Sequence, residues 1–485
     1  MNHLLAVVNI LGKLIVVFGL TMLLPCMVAY LSQDESLNVF LQALLTTLGT
    51  GTALWLTTRR YKRELQIRDG FLLVVLTWLS LPLFGMLPIL SYFPELGFAK
   101  SYFEATSGLT ATGGTVLTGL DSLPYAINLW RGLMIWLGGM GLIVLAVAIL
   151  PMLGVGGRQL FKAEIPGPMK ESKLTPRIAE TAKGLWMVYT ALTLLCACAY
   201  WLAGMNGFDA IIHAFTTLGL GGFSSHDASY GYWDSPLIEV VAIVFMLIAG
   251  INFASHFMVW RARSFSPYRL DPEIKLFLFI VLASCIGLAG YLWKMDIYTH
   301  PIEALRYASF NVVSVATTTG YSNTDYAIWP VFAPLWMLFL SGFSTSSGST
   351  GGGIKMIRVR ILYQQFFREM ITIMHPRAIS PVKIGQSIIS HKIIFAVLVF
   401  LFVYLTSIVL MTLVLTLSGL DEITAFSAAI ACLNNLGPGL GEIGPATTYV
   451  SLNNFQIWLC SFAMLLGRLE FYTLIIVFTV AFWRK

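Results

Sequence analysis

Four short turns rich in glycine and in hydroxyl or amide side chains are the segments of this sequence best suited to chemistry. The turns are Thr110–Thr115, Leu218–Ser224, Thr317–Ser322 and Asn434–Gly439. Each follows an apolar segment of about a dozen residues, which reaches only partway across a bilayer. Irregular backbone at that depth survives where it lines a watery path or is buried in protein. In such a path its carbonyl oxygens can replace the water around a cation.

The four turns together predict a cation filter built from backbone groups. We expect them to converge on one axis, toward which the C-terminal ends of the four short helices direct partial negative charge. Aiming carbonyls inward requires either positive φ or close approach, which glycine allows, and we assign this role to Gly113, Gly221, Gly320 and Gly437. One such turn alone is usually a simple helix connection, so the fourfold recurrence carries the prediction. The candidate filter residues are Ala111, Thr112, Gly113, Leu220, Gly221, Thr318, Thr319, Gly320, Asn435, Leu436 and Gly437.

A segment rich in glycine, serine and threonine, Gly342–Gly353, is the candidate gate. Its composition opposes a stable helix, and it lies between the apolar run Leu335–Leu340 and Lys355, within or just below the membrane. It is either a flexible cytoplasmic linker or an intramembrane loop that obstructs the pore. The candidate gating residues in it are Gly342, Ser344, Thr345, Ser346, Ser347, Gly348, Gly351, Gly352 and Gly353.

Arg468 is the second gating candidate, because the sequence predicts it in the middle of an apolar helix, Phe455–Phe482. A charge there is costly and usually faces an aqueous path or a partner. Glu470 is two residues away and does not share its helix face. The alternative is a structural ion pair with another helix.

The composition requires a membrane environment for these elements. Of 485 residues, 57% are hydrophobic and 11% are charged, whereas soluble domains carry about 25% charged residues. Apolar runs such as Leu14–Leu31 are long enough to span a bilayer, and we read the first as a retained helix, since no small-residue cleavage site closes it. The six cysteines lie in apolar segments without metal-ligand spacing. The predicted fold class is therefore an all-α polytopic membrane protein.

The chain repeats one pattern four times after an N-terminal helix pair, Leu4–Tyr30 and Leu37–Thr58. Each repeat has a long helix, a short pore helix, a filter loop and a second long helix around a central pore, which gives about ten transmembrane helices. The predicted short helices are Ser101–Ala111, Gly207–Leu218, Pro301–Ala316 and Asp421–Leu433. The predicted second long helices are Asn128–Leu150, Leu237–Trp260, Val331 onward and Phe455–Phe482. The predicted units are 1–69, 70–157, 158–264, 265–378 and 379–485.

The distribution of charge predicts orientation. The segments Arg59–Arg68, Arg158–Lys183, Arg261–Lys275 and Lys355–Lys392 are basic, whereas the segments between them have almost no Lys or Arg. The positive-inside rule then places the basic segments and both termini in the cytoplasm. The formal charge of +6 is thus a topological signal, which argues against nucleic-acid binding.

Two other classes of function compete with a pore. A sodium- or proton-coupled symporter could share the filter, although its usual inverted repeats differ from these parallel ones. A membrane enzyme would need axial histidine pairs, a His-Glu-x-x-His motif or a nucleophile–base pair, which the sequence does not offer. No bound organic cofactor is expected.

The turns Ala-Thr-Gly-Gly, Leu-Gly-Gly-Phe-Ser, Thr-Thr-Gly-Tyr-Ser and Asn-Leu-Gly-Pro-Gly, with Gly342–Gly353, resemble the TrkH family of the Trk/Ktr/HKT superfamily. The resemblance covers nearly the whole chain. It implies potassium uptake across a bacterial inner membrane, a homodimer in the lipid bilayer, and control by a TrkA-like cytoplasmic ring that binds nucleotide. It also implies that Gly342–Gly353 and Arg468 lie by the permeation path. In this superfamily a serine at the first filter glycine suggests sodium selectivity, so Gly113 favours potassium.

Overall fold

The computed structural model describes residues 2–61, 66–144, 178–378, 380–385 and 387–484. The helices before the third repeat are α1 Asn2–Thr21, α2 Leu23–Leu31, α3 Leu37–Thr58, α4 Ile67–Gly85, α5 Leu87–Tyr92, α6 Gly97–Leu109, α7 Tyr125–Val144, α8 Ile178–Leu202, α9 Gly207–Gly219, α10 Pro236–Ala249 and α11 Phe253–Ala262. The later elements are α12 Ser266–Leu270, α13 Pro272–Lys294, α14 Pro301–Ala316, α15 Phe332–Ser341, α16 Met356–Met374, β1 Lys383–Ile384, β2 Ser387–Ile388, α17 His391–Leu417, α18 Glu422–Leu433, α19 Asn454–Arg468, α20 Tyr472–Phe478 and α21 Val480–Trp483.

The helices confirm a polytopic membrane protein. Within the described ranges, six helices are long and apolar enough to cross a membrane, or eight if two bent pairs each count as one span. The remaining two of the ten predicted spans are α7, whose predicted end at Leu150 lies outside the described residues, and the interrupted pair α15 and α16. The one departure from all-α structure in the described part is the short antiparallel hairpin of β1 and β2.

The N-terminal pair packs without intervening side chains at its centre. A Cβ atom on Gly12 of α1 would lie 2.8 Å from the main-chain nitrogen of Trp55 and 2.9 Å from the carbonyl oxygen of Gly51, both in α3. Asn9 further donates hydrogen bonds to the Trp55 carbonyl and to the Thr58 hydroxyl, each over 3.1 Å. The two helices therefore form one unit, as the sequence predicts.

Each repeat contains the predicted short helix, and these are α6, α9, α14 and α18, hereafter pore helices 1 to 4. Each packs against a long helix of its own repeat. Most residues of each pore helix are buried. The predicted repeat boundaries stay predictions. The boundary at 157–158 and most of the basic segment Arg158–Lys183 lie outside the described residues.

The second long helix is broken in three of the four repeats, and two of these breaks correct the sequence analysis. The predicted helix Leu237–Trp260 is two helices bent by 91°. Asn252 begins the second of them, because its side chain accepts a hydrogen bond from the Ala254 amide. The predicted helix Phe455–Phe482 is bent by 113° after Arg468, where Glu470 and Phe471 have positive φ. Arg468 is therefore the last residue of α19, and its predicted position in mid-helix is wrong.

Candidate ion pathway

All four pore helices end in the same way. One residue just past each helix end has a left-handed conformation, with φ of 52° at Leu220, the first residue after its helix, and of 54° at Ala111, 59° at Thr318 and 54° at Asn435, each the second residue after its helix. Residues other than glycine rarely adopt this conformation, and such strain gathers at functional sites. The next amide then returns to the helix, as Thr112 does to the Ser107 carbonyl over 2.8 Å, and equivalent bonds occur in the other three repeats. This cap ends each helix and turns the chain sharply.

The residues that follow these caps form a closed ring. A Cβ atom on any of its four glycines would come within 3.0 Å of a carbonyl oxygen in the next repeat. The pairs are Gly113 with Gly221, Gly222 with Thr319, Gly320 with Leu436, and Gly437 with Thr112. The contacts therefore run from repeat 1 to 2, 2 to 3, 3 to 4 and back to 1. Four main-chain turns surround one axis, as the sequence predicts, and only glycine fits where they meet.

Repeat 2 is shifted by one residue from the sequence prediction. Gly113, Gly320 and Gly437 have positive φ, and in repeat 2 the residue with this conformation is Gly222. Gly221 does not have a positive φ, because Leu220 already occupies the cap position that Ala111 occupies in repeat 1. It has the other predicted property, a close approach, since a Cβ atom there would lie 2.6 Å from the Ile135 side chain. Gly221 instead contributes its carbonyl oxygen to the ring. Gly222 is the ring glycine of repeat 2 and was not among the predicted filter residues, although counting two residues from each cap would have found it.

A funnel of about 710 Å³ opens on one side of the ring. All four filter turns reach it, through Gly113, Gly222, Gly320 and Pro438. Its wall also contains charged groups of both signs, which are Arg131, His226, Asp227 and Glu442. A wide polar vestibule that narrows to a ring of backbone oxygens suits a hydrated cation that loses its water on the way in.

A buried ion pair fixes the filter turns of repeats 1 and 2. Arg131 donates to Glu104 over 2.9 Å, and their side chains are 1% and 0% exposed. Glu104 also accepts from the Val116 amide, and Arg131 donates to the Ser224 carbonyl across the repeat boundary. The sequence analysis missed both residues. Their signal was an acid inside an apolar pore helix and an arginine inside an apolar long helix, since such charges are costly unless paired.

Hydrogen bonds within repeats 2, 3 and 4 also hold the turns. His213 of pore helix 2 hydrogen-bonds the Ser224 hydroxyl over 3.0 Å. In repeat 3, the Ser314 hydroxyl donates to the Tyr321 carbonyl over 2.7 Å. In repeat 4, the Ser427 hydroxyl accepts from the Leu440 amide over 2.9 Å. Each filter turn is thus tied to its own pore helix, which keeps the ring carbonyls in place.

His226 joins repeats 1 and 2 at the rim of the funnel. Its two ring nitrogens lie 2.5 Å from an Asp121 oxygen and 3.0 Å from an Asp209 oxygen, and its ring stacks on Tyr232. A neutral imidazole can donate only one hydrogen bond, so only the protonated ring satisfies both carboxylates. Burial lowers the pKa of His226, but the hydrogen bonds to Asp209 and Asp121 outweigh burial and raise it above its ordinary value of 6.5.

We therefore expect the rim to weaken at alkaline pH. Because the pKa of His226 is raised in the folded protein, its stabilisation is complete below its ordinary value and is lost as pH rises through the raised value. One charge-assisted hydrogen bond, about 1.5–3 kcal/mol, is at stake. The thermal unfolding midpoint of the purified protein should fall by a few degrees between pH 6 and pH 9, and His226→Ala should flatten this dependence. His300→Ala, at an exposed histidine, should keep the slope of the parent. An equal slope in His226→Ala would contradict the assignment.

The candidate gate Gly342–Gly353 lies directly behind the ring, on the side away from the funnel. Its hydroxyl residues are buried, including Ser344, Thr345, Ser346 and Ser347. The Gly352 amide donates to the Thr318 hydroxyl over 2.8 Å. A free linker would have exposed side chains, so this burial favours the intramembrane reading. Its role in gating stays a prediction.

The segment contacts the filter turns or pore helices of repeats 2, 3 and 4. The Thr350 hydroxyl donates to Leu218, the next-to-last residue of pore helix 2, over 3.0 Å. A Cβ atom on Gly351 would lie 3.0 Å from the Thr317 oxygen, and one on Gly352 would overlap the Asn434 oxygen. The segment therefore covers the inner ends of three pore helices, whose carbonyls carry partial negative charge.

Two of the helix breaks contact the gating segment or the helix that follows it, one through main-chain hydrogen bonds and the other through an ion pair. At the break between α10 and α11, the Gly250 carbonyl accepts from the Ser346 amide over 3.0 Å, and the Phe253 amide donates to Gly348 over 3.1 Å. At the break after α19, Glu470 pairs with Arg358 over 2.5 Å. Glu470 thus has a partner outside its own helix, and that partner, Arg358, lies in α16, the helix that follows the gating segment.

Arg468 bridges the gating segment and repeat 1. Its guanidinium donates to the Thr350 carbonyl over 2.9 Å and to the Gly138 carbonyl over 3.0 Å, and the side chain is buried. Its Nε has no hydrogen-bond partner. Among the described residues, no carboxylate lies within ion-pair distance of Arg468, which disfavours the alternative of a structural ion pair. The charge is therefore uncompensated by an acid beneath the filter.

The sequence of this chain is similar to those of known proteins along nearly their whole length. The family model TrkH, described as cation transport protein, matches residues 36–484. The chain is 45% identical over 484 residues to the Trk system potassium uptake protein TrkH of Salmonella typhimurium, covering 100% of both chains. It is 47% identical over 482 residues to the TrkH of Halomonas elongata, covering 99% of both.

A solved structure shows the same fold. It is the crystal structure of the potassium transporter TrkH from Vibrio parahaemolyticus, which superposes with a TM-score of 0.91 at 43% identity and covers 99% of this chain and 100% of the other. A family match over residues 36–484, with identities of 43% to 47% to these three relatives, shows the fold and the family. This multi-pass membrane protein belongs to the TrkH family of cation transport proteins.

Proposed function

We propose that this chain takes up potassium through the ring of four filter turns. The observation that carries the proposal is the closed sequence of contacts from Gly113 to Gly221 and onward to Thr112, which surrounds one axis with backbone oxygens. The named relatives are potassium uptake proteins, which agrees with it. Gly113 at the first ring position favours potassium over sodium.

We further propose how the flow is controlled and where the protein works. Gly342–Gly353 obstructs the inner side of the ring, and Arg468 adds an electrostatic barrier. The basic segments place this side, with both termini, in the cytoplasm of a bacterium, and the funnel outside the inner membrane. A TrkA-like ring of nucleotide-binding subunits on the cytoplasmic side displaces the segment, and the chain works as a homodimer.

The test is ion flux through purified protein in liposomes with a potassium gradient. Potassium flux without sodium, a pH gradient or ATP supports a pore. Flux that requires a sodium or proton gradient would overturn the pore in favour of the symporter. Absence of flux, even in a variant whose gating segment is displaced, would overturn the transport proposal itself.

Arg468→Ala should raise potassium flux and leave ion preference nearly unchanged. Two unit charges about 6 Å apart repel by about 3 kcal/mol at an effective dielectric of 20. Water and the hydroxyl-rich segment screen part of this, and the remaining ~1–2 kcal/mol slows an ion roughly 5–30-fold. Loss of the bond to Thr350 also loosens the gating segment, which acts in the same direction.

Flux per folded molecule is the measurement, with Arg468→Lys as the matched control. The lysine keeps the charge but not both hydrogen bonds of the planar guanidinium, so its flux should lie between that of the parent and that of Arg468→Ala. Lower flux in a correctly folded Arg468→Ala protein would contradict the barrier and would mean that the charge holds the open state.

A further inference from the structure

An apolar cavity of about 320 Å³ lies between the N-terminal helix pair and repeats 1 and 2. Leu14 and Val17 of α1, Trp78 of α4 and Gly138 and Gly141 of α7 are among its lining residues. Its volume is at the lower end of the range of small-molecule pockets, about 300–1,000 Å³. No residue that lines it carries a charge.

The cavity opens on the surface that the bilayer covers. Leu14 and Val17 are 37% and 61% exposed, and both lie within the apolar span Leu4–Leu31. The other flanking element is the span Arg68–Tyr92. In a membrane, hydrocarbon is the solvent at this depth, so the mouth of the cavity is continuous with the lipid-facing surface.

The inner end of the cavity reaches the residues that hold Arg468. Gly138 lines the cavity, and its carbonyl accepts the hydrogen bond from Arg468. The Trp78 ring lies 5.8 Å from the Arg468 guanidinium. Leu109, which ends pore helix 1, also lines the cavity and packs directly on Gly138. Whatever fills the cavity therefore supports pore helix 1 and the anchor of Arg468.

The chemistry of the lining identifies the occupant. Its two hydroxyl groups are already satisfied within their own helices, since Thr21 donates to the Phe18 carbonyl and Thr77 to the Leu73 carbonyl. The other polar side-chain groups of the lining are the indole N–H groups of Trp78 and Trp186. No charged side chain lines the cavity to bind a head group, and a cavity lined mainly by apolar atoms does not hold water. We propose that a single aliphatic acyl chain of a membrane lipid occupies this cavity and stabilises the contact between Gly138 and Arg468.

Gly141 allows the cavity to be filled by design. A Cβ atom there would meet only the Trp78 ring, at 3.9 Å, so Gly141→Leu should fold and take the place of the lipid chain. The control is Gly287→Leu on α13, where a Cβ atom meets nothing within 4 Å. Thr77→Leu narrows the cavity from a second helix, and it replaces the first variant if that protein does not fold.

The experiment reconstitutes the full chain with lipids that carry a photoactivatable diazirine on the acyl chain, and maps crosslinks by mass spectrometry. Saturable labelling near Gly138 and Trp78 is expected, and it should fall roughly tenfold in Gly141→Leu, since the leucine excludes at least two methylenes. Gly287→Leu should label like the parent. Labelling that is uniform along all spans, or unaffected by both cavity variants, would overturn the site. This readout does not depend on potassium flux, so it stands or falls apart from the proposed function.

Discussion

Gly113→Ser should lower the permeability of potassium relative to sodium by roughly tenfold, the factor that corresponds to about 1.4 kcal/mol of discrimination. A side chain at this glycine overlaps the Gly221 carbonyl oxygen, so the oxygen must move. The φ of 85° also disfavours any residue with a Cβ atom. A displaced oxygen leaves a less regular ring that replaces the hydration shell of potassium less well, so the advantage of potassium over sodium falls.

The matched control is Gly119→Ser. Gly119 has a φ of 70° on the wall of the funnel, and its nearest neighbour there is the Ser122 hydroxyl at 3.6 Å. It therefore carries the same backbone strain without the collision in the ring. Bi-ionic reversal potentials of the two variants are the measurement. Equal potassium preference in Gly113→Ser and Gly119→Ser would remove Gly113 from the filter.

The same measurement tests the register of repeat 2. A Cβ atom on Gly222 overlaps the main chain at Thr319, whereas one on Gly221 meets the side chain of Ile135, which can adjust. Gly222→Ala should therefore reduce potassium preference more than Gly221→Ala. The reverse order would restore the register that the sequence first suggested.

Gly352→Ala should raise the basal potassium flux by about an order of magnitude. The added methyl group overlaps the Asn434 carbonyl, which belongs to the filter turn of repeat 4 and cannot retreat without disturbing the ring. We expect the gating segment to move more easily than the filter turn, so the segment should shift away and lose its hydrogen bond to the Thr318 hydroxyl. A shift of about 1.4 kcal/mol in the balance of closed and open states multiplies the open fraction tenfold while that fraction is small.

Gly342→Ala is the control for this variant, because its Cβ atom would lie no closer than 3.4 Å to any neighbour. Flux should be measured in liposomes with and without the cytoplasmic partner. Partial deletion of Gly342–Gly353 should act in the same direction and reduce the dependence on the partner. If the deletion protein folds, inserts and conducts like the parent, the segment is only a linker.

The repeats and the pore helices were predictable because their signals are local. A dozen apolar residues before a glycine-rich turn indicate a short helix wherever they occur, and four copies fix the architecture. The cap at Leu220 was harder, because the sequence offers two adjacent glycines. Only the position of Ile135 and Thr319 decides which of them faces the ring.

The breaks after Ala249 and Arg468 had no comparable signal. Gly250 and Asn252 at the first break, and Glu470 at the second, interrupt the apolar runs only briefly. The bends depend on tertiary partners such as Gly348 and Arg358. The pairing of Glu104 with Arg131 likewise joins residues whose proximity follows from the fold. Sequence periodicity reports a face buried in lipid or protein, but it does not report which distant group satisfies a buried charge.

The closure of the ring has a consequence for the synthesis of the protein. Gly437 meets Thr112, Asn435 donates to the Thr112 hydroxyl over 3.0 Å, and the Tyr449 amide donates to the Thr115 carbonyl over 2.8 Å. The first quarter of the filter therefore lacks its neighbour until the ribosome has delivered the last one. A nascent or truncated chain that lacks repeat 4 has only three of the four turns, and its ring is open between repeats 3 and 1. If the ring conducts as proposed, the covalent order of the quarters keeps half-made molecules from forming a selective pore, because the last contacts of the ring form only when synthesis is nearly complete.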